Sequence, residues 1–180
     1  KLADAVSQKK VGKLLDLGCG PGSYTAAILK KDKTATATLM DRATAIKVAR
    51  KLCKTQSVYN RLHFVSGDFF DDELGGGYDT VLMSNIIHIY NATENKTIFE
   101  KINKALKKGG RFVLYDLFLN NSKTGPYDAA LFAITMLLYT KTGKSYAFGE
   151  VESLLRNAGF ARIKKTKIGD GSSIVEAIKI

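Results

Sequence analysis

The chain has 180 residues, 45% of them apolar, with a formal charge of +11; that length and apolar share suit one domain around a single substantial core. No stretch approaches the roughly 18 uninterrupted apolar residues of a spanning helix, and the start, Lys1-Leu2-Ala3-Asp4, lacks the apolar centre of a secretion signal. Two cysteines, Cys19 and Cys53, exclude a disulfide framework and have no partners at metal-ligand spacing, so the expectation is a cytoplasmic protein in a reduced compartment, away from membranes and without a metal site.

Along the chain, apolar runs of strand length alternate with longer segments of helical period, the pattern of a parallel sheet wrapped by helices. A strand is predicted over 13–17, then a glycine loop and a helix over 23–30 with Tyr24, Ala27 and Ile28 on one face. A second strand over 35–40 stops at Asp41 and is followed by a helix over 44–54, a third strand over 62–66, a loop over 67–77 and a fourth strand over 79–84. Asn91-Ala92-Thr93-Glu94 carries the N-cap residue and the acid three positions on that form a capping box, which starts a helix running to Lys107 with Gly109-Gly110 as its left-handed stop. The fifth strand, over 111–115, ends at Asp116. An apolar helix over 127–139, a helix over 148–157 ended by Gly159, and strands over 161–168 and 174–180 complete the chain. The last two flank Gly169-Asp170-Gly171, a link short enough for a hairpin, so the final strand is expected to run antiparallel. The fold class is therefore α/β: a Rossmann-like, seven-stranded, mostly parallel sheet with helices on both faces.

Open sheets of this kind bind ligands at the carboxyl ends of their strands, where the strand order reverses. The loop after the first strand reads Asp16-Leu17-Gly18-Cys19-Gly20-Pro21-Gly22, and its alternate glycines let a ligand approach the main chain without meeting a Cβ. A dinucleotide fingerprint requires glycine three residues after Gly20, where Ser23 stands, which counts against NAD. Asp41 closes the second strand, where a carboxylate can accept both hydroxyls of a ribose. A third acid, Asp68, follows the third strand in Gly67-Asp68-Phe69-Phe70, placed to accept from an adenine amino group with Phe69 against the ring. S-adenosylmethionine (SAM) contains a ribose but no phosphate, so carboxylates and bare backbone suit it better than a phosphate cradle does. Each piece alone has a bland alternative: a turn for the glycine loop, helix caps or solvated strand ends for Asp41 and Asp68, core for Phe69. It is the order of the pieces, all at strand ends, that points to a cofactor.

Residues 14–22, Asp41, Gly67-Asp68-Phe69-Phe70 and Lys108-Gly109-Gly110-Arg111 together resemble the SAM-binding motifs of class I methyltransferases. More narrowly, Ser84-Asn85-Ile86-Ile87-His88-Ile89-Tyr90, the helix to Leu106, and the stretch from Gly143-Lys144 to Ala158-Gly159-Phe160 resemble the catalytic domain of the plant and bacterial small-molecule O-methyltransferases. The resemblance implies SAM as cofactor, S-adenosyl-L-homocysteine as product and a small-molecule hydroxyl as acceptor. Asp16, Gly18, Gly20, Asp41, Arg42, Asp68, Phe69 and Ser84 are the cofactor residues it marks, with Asp41 on the ribose and Asp68 at the adenine. His88 matches the general base, a role that suits imidazole, whose reference pKa is roughly 6.5; its other reading is a ring packed under the following helix. Asp116 falls where a glutamate that orients the base is expected. The second orienting position is Ser145, the acid and tryptophan that usually follow the histidine are Ile89 and Tyr90, and a cofactor-contacting lysine is replaced by Ser84. These departures bear on a phenolic acceptor and leave SAM binding untouched. The other histidine, His63, lies at the start of the third strand beside Phe64, and a structural role is expected for it.

Relatives carry an amino-terminal helical domain that pairs subunits and closes part of the acceptor pocket. The chain opens on Lys1 and not Met, as expected of a trimmed product of something longer, and residues 1–180 are expected to be the catalytic domain of a protein that dimerises through that further domain. The helix over 127–139 is richer in apolar residues than one buried stripe requires, so burial, an acceptor-pocket wall and a docking face for the further domain all stay open for it. The positive charge allows a nucleic-acid methyltransferase, but the lysines are spread along the chain without an arginine-and-aromatic stripe, and Asn85 lacks the Pro-Pro-aromatic sequel of base-amino enzymes. A non-catalytic SAM-binding module is the third alternative.

Overall fold

A computed structural model describes residues 1–169 and 171–180; Asp170, in the link between the last two strands, lies outside the described residues. The strands are β1 (Lys13–Leu17), β2 (Thr36–Asp41), β3 (Leu62–Ser66), β4 (Tyr78–Ser84), β5 (Leu106–Leu117), β6 (Phe160–Lys167) and β7 (Ser172–Lys179). The helices are α1 (Leu2–Val6), α2 (Ser23–Lys31), α3 (Ala43–Cys53), α4 (Ala92–Ala105), α5 (Tyr127–Tyr139) and α6 (Phe148–Asn157). One sheet holds all seven strands in the order β3-β2-β1-β4-β5-β7-β6. β1 to β5 pair in parallel, and β7 is antiparallel to both β5 and β6, as the hairpin reading expects.

Alternation along the central strands divides the core between the two sheet faces. Leu15, Leu17, Val81, Met83, Phe112 and Leu114 point to one face, where Ile98, Phe99 and Ile102 of α4 and Val151 and Leu155 of α6 cover them. Leu14, Leu39, Leu82 and Val113 point to the other, under Leu2 and Val6 of α1, Ile28 and Leu29 of α2, and Ile46 and Ala49 of α3. Strands covered on both faces read as continuous apolar runs, which explains Lys13-Leu14-Leu15-Asp16-Leu17. The edge strand β6 is instead lysine-rich and largely solvated, which discourages pairing with another chain.

Several boundaries differ from the sequence reading for identifiable reasons. α2 buries Thr25, Ala26, Ile28 and Leu29, while Tyr24 stays 38% exposed; the sheet-facing stripe is one residue out of phase with the face expected. The capping box at Asn91 forms, with the Glu94 N–H donating to Asn91 Oδ1 at 2.9 Å and the Asn91 N–H to Glu94 Oε2 at 2.7 Å. α4 nevertheless stops at Ala105, because Leu106 is already extended and pairs with Tyr78. Gly109 takes its positive φ of 76° inside a bulge of β5, between the Leu106 and Arg111 pairings, and so does not cap the helix. β5 continues through Asp116 to Leu117 because β7 pairs with it that far. α1 was not anticipated; five residues are too few to show a period. For α5, where the sequence leaves burial, a pocket wall and a docking face all open, the structure weighs against plain burial: only Ala129 and Met136 are buried, and Leu131, Ile134, Leu137, Leu138 and Tyr139 are more than half exposed.

Candidate active site

The chain leaves β1 in one direction to reach β2 and β3 and in the other to reach β4 and β5, so the loops after β1 and β4 diverge and leave a crevice at their carboxyl ends. The glycine loop forms its floor. Gly18 and Cys19 donate backbone hydrogen bonds to Met40 O at 2.9 and 3.4 Å, folding the loop over the end of β2. Gly18 sits at φ 72°, so the backbone favours glycine, and a Cβ there would lie 2.5 Å from Ile86 Cδ1 and push that side chain aside. At Gly20 a Cβ would meet nothing within 4 Å: the main chain there faces open space.

Three carboxylates surround this loop in different states. Asp41 Oδ2 accepts from the Gly20 N–H at 2.8 Å and Oδ1 from the Arg42 N–H at 2.7 Å, so the acid is fixed against the loop with lone pairs to spare. Asp68 Oδ1 accepts from the Phe70 N–H at 2.9 Å, which orders the turn after β3. Asp16 is 1% exposed; Oδ2 accepts from Thr25 Oγ1 at 2.6 Å, and Oδ1 is a buried atom with no partner. Burial pushes its carboxyl up to about 7, with the hydrogen bond from Thr25 opposing and the charge of Asp41 adding to the rise. Burial beside Asp16 and Asp41 likewise raises the Cys19 thiol and keeps it protonated.

A cleft of about 220 Å³ opens beside the loop, lined by Gly18, Asp41, Arg42, Gly67, Asp68, Phe69, Ile86, Ile89 and Tyr90. This falls short of the roughly 300–1,000 Å³ of a site that encloses a small molecule, so the described residues embrace only part of a ligand. Phe69 is 8% exposed and packs edge-on to Tyr90 at 6.0 Å, and Tyr90 meets Phe70 at 5.1 Å. A roomier concavity of about 680 Å³ lies toward the amino ends of β1 to β3, lined by Lys13, Thr38 and His63 among others. It has neither the glycine loop nor the strand-end acids, so the chemistry places the site at the smaller cleft. His63, which was expected to be structural, is exposed there on the edge strand.

β4 ends at Ser84, which is buried and does not line the cleft. Asn85 turns the chain with φ 56°, and a single 3₁₀ turn, Ile87–Ile89, carries His88. Because Ile86, Ile89 and Tyr90 wall the cleft, His88 is held at its margin. The His88 side chain is 13% exposed, and Nδ1 lies 2.9 Å from both oxygens of Asp116, itself 1% exposed. Asp116 Oδ1 also accepts from the Leu117 N–H at 2.8 Å. A carboxylate only accepts, so this contact places the ring proton on Nδ1 and leaves Nε2 as the lone-pair atom able to take a proton. Phe132 of α5 meets the ring edge-on at 4.8 Å and limits its rotation.

Of the residues expected from sequence, Gly18, Asp41, Arg42, Asp68 and Phe69 therefore meet at the cleft, Gly20 is tied to them through Asp41, Asp16 and Ser84 lie buried beneath, and His88 is joined to Asp116. Sequence reasoning missed the walls Ile86, Ile89 and Tyr90, and Phe132 against the histidine. Ile89 and Tyr90 stand out in sequence only as departures from a pattern, although aromatic residues on the loops after two successive strands, Phe69 and Phe70 after β3 and Tyr90 after β4, are a usable signal.

The chain matches the family model of an O-methyltransferase domain over residues 1–161. It is 28% identical to the 3-hydroxy-5-methyl-1-naphthoate 3-O-methyltransferase of Streptomyces sahachiroi, covering 99% of this chain and 52% of that protein. Among solved structures, an O-methyltransferase family 2 protein from Planctomyces limnophilus in complex with apigenin superposes with a TM-score of 0.93 at 26% identity, over 99% of this chain and 56% of that one. PigF with SAH, at 27% identity and a TM-score of 0.88, matches over 98% of this chain and 54% of that one. The chain thus spans about half the length of the curated relatives it matches.

Proposed function

The chain belongs to the O-methyltransferase domain family, and from that premise we propose that it binds S-adenosyl-L-methionine and methylates a hydroxyl of a small molecule, with His88 as general base and S-adenosyl-L-homocysteine as product. The observation that carries the reaction is the His88 Nδ1 contact with both oxygens of Asp116, which sets the ring in the tautomer a base needs. The cofactor reading stands on the chain's own donors and acceptors. Asp41 would take the ribose hydroxyls, Asp68 and Phe69 the adenine, and the open backbone at Gly20, with the unpartnered Asp16 Oδ1 below it, the amino-acid end. Gly18 and Arg42, which also line the cleft, complete the set, while Ser84 is buried outside its lining.

When bound, the cofactor supplies a methyl carbon already activated by a positive sulfur, so the chain's residues need only align the acceptor and remove its proton. Nε2 of His88 takes that proton from the hydroxyl, and the imidazolium so formed is held by the buried Asp116 carboxylate. Phe132 and the exposed apolar face of α5 extend the histidine's side of the cleft toward the acceptor. The same face, together with the share of the relatives' length that the chain spans, supports a whole protein that dimerises through a further, amino-terminal domain.

Among the described residues no helix is long and apolar enough to cross a membrane, and a cytoplasmic setting for the protein fits the two reduced cysteines. Calorimetric titration with SAM and with S-adenosyl-L-homocysteine tests the cofactor reading: two saturable isotherms are expected, and flat ones would remove it. Steeply salt-dependent RNA binding, with methyl groups appearing on the RNA, would replace the small-molecule acceptor with a nucleic acid.

A further inference from the structure

Asn95 lies in the first turn of α4 and is completely buried. Its amide nitrogen sits 2.9 Å from Ile87 O, 3.1 Å from Tyr90 O and 3.1 Å from the Tyr146 hydroxyl. The Tyr146 hydroxyl in turn donates to Tyr90 O at 2.7 Å. An amide has two hydrogens, and Tyr90 O is already served by Tyr146, so the consistent assignment sends one to Ile87 O and one to the Tyr146 oxygen. The two carbonyls that bracket His88 are thereby gripped by one buried pair. Gly143 packs against the same turn, where a Cβ would collide with the His88 carbonyl oxygen.

Packing alone does not ask for this arrangement. Asn95 Oδ1 is buried with no partner among the described residues, which costs stability, and burial pushes the Tyr146 hydroxyl up to about 12, so it stays protonated. A leucine at 95 would fill similar space without an unpaired oxygen of its own, but it would deprive Ile87 O and the Tyr146 oxygen of the amide's two hydrogens. What leucine cannot do is fix the carbonyls of Ile87 and Tyr90.

We propose that Asn95 and Tyr146 are positioning residues for the methyl-transfer reaction: acting through the Ile87 and Tyr90 carbonyls, they set the seat of the 3₁₀ turn so that the His88 ring stays on Asp116 with Nε2 available. This rests on the reading of His88 as the base. Neither residue itself lines the cleft, and both meet the lining residue Tyr90 only at its backbone carbonyl, so their loss should fall chiefly on proton transfer and largely spare cofactor binding.

The test compares Tyr146→Phe, Asn95→Leu and His88→Ala with wild type in the intact protein, measuring kcat, acceptor KM, cofactor Kd, Tm and the ¹⁵N resonances of the His88 ring. Misplacing a reacting group by an ångström costs on the order of 10²-fold in rate. Accordingly, Asn95→Leu is expected to lose about that much kcat and Tyr146→Phe about tenfold, with cofactor Kd within about twofold of wild type. Both should also weaken the Nδ1-protonated signature of His88. Wild-type kcat and ring resonances in the two variants, even with a lowered Tm, would overturn the proposal and leave a structural role. If His88→Ala is inactive while both variants are fully active, only the positioning role falls. If His88→Ala keeps full turnover, the reading of the base falls and the positioning role with it. Tyr146→Phe, which removes one oxygen atom, keeps the comparison decisive if Asn95→Leu does not fold.

Discussion

The side of the candidate site that continues from β1 and β2 is closed by hydrogen bonds, whereas on the side beyond β4, which α5 adjoins through the contact of Phe132 with His88, apolar side chains are open to solvent. On the first side the glycine loop is tied to Met40, Asp41 is held by two backbone N–H groups, and Asp16 is buried against Thr25. On the second side His88 and Asp116 are equally well fixed, but Leu131, Ile134, Leu137 and Leu138 of α5 face outward. On the proposed function, the contrast separates a cofactor side and a base whose groups are already held in place from an acceptor side that the described residues close only in part. A ligand of constant structure can be met by preset backbone; an acceptor that differs from relative to relative is met by surfaces that the described residues do not close.

The sharpest way to break that comparison is His88→Ala. Loss of a positioned general base costs about 10²- to 10⁴-fold in rate, so kcat in the intact protein should fall that far while SAM affinity, which belongs to the other wall, stays unchanged by calorimetry. A loss of affinity equal to the loss of rate would mean that the two sides are not separable.

Next in size is the pH dependence set by Asp16. Its carboxyl is raised to about 7 in the folded chain, chiefly by burial, so between about pH 4 and 7 the folded state holds a proton that the unfolded chain has released. Stability should therefore decline as pH rises through that window, by up to roughly 4 kcal/mol at about 1.4 kcal/mol per pKa unit. Asp16→Asn should flatten the decline in urea unfolding at pH 5 and pH 8; an unchanged slope would show that the acid is not the source. The opposite sign applies to Glu150. Burial would raise it, but hydrogen bonds from Lys144, the Ala147 N–H and Lys123 outweigh burial and pull it down to about 2, so its contribution is lost only at lower pH and leaves the Asp16 window clear.

A smaller effect is expected at Asp41. Asp41→Asn keeps the shape but weakens acceptance from two hydroxyls, and charged hydrogen bonds contribute about 1.5–3 kcal/mol, so SAM should bind roughly 10- to 100-fold more weakly with the fold intact. Unaltered affinity would move the ribose elsewhere. The smallest effect sharpens the other wall: Leu131→Ser with Leu138→Ser should change the stability of this chain by no more than about 0.5 kcal/mol per site, as for surface substitutions. In the intact protein the same pair should reduce self-association in sedimentation or slow acceptor turnover, and if neither changes, α5 has no partner.

The site was legible in sequence to the extent that its parts follow one another at strand ends. Asp16, Gly18, Gly20, Asp41, Asp68 and His88 could be placed because each sits at or within a few residues of the carboxyl end of an apolar run whose length marks it as a strand. Asn95 and Tyr146 could not: they are 51 positions apart, on separate elements, and meet only because α4 and the segment before α6 pack on the same turn. Tyr24 misled because a helical period gives a stripe without saying which side of it meets the sheet. α5 stayed undecided in sequence because apolar content measures what a helix can bury and not what is present to cover it.

By itself the sequence determined the order of the elements, the parallel sheet with its reversed end, and the chemistry gathered at the carboxyl ends of β1 to β4, since these depend on local period, on glycine's access to positive φ and on side-chain type. Only the tertiary structure decided which oxygen of which acid is engaged, that Asp116 receives Nδ1 of His88 while Asp16 is left half satisfied, and that α5 lies with its apolar face outward. Those outcomes depend on distances between residues remote in the chain, and such distances are fixed by how helices and strands pack together, a quantity that no local pattern of residues encodes.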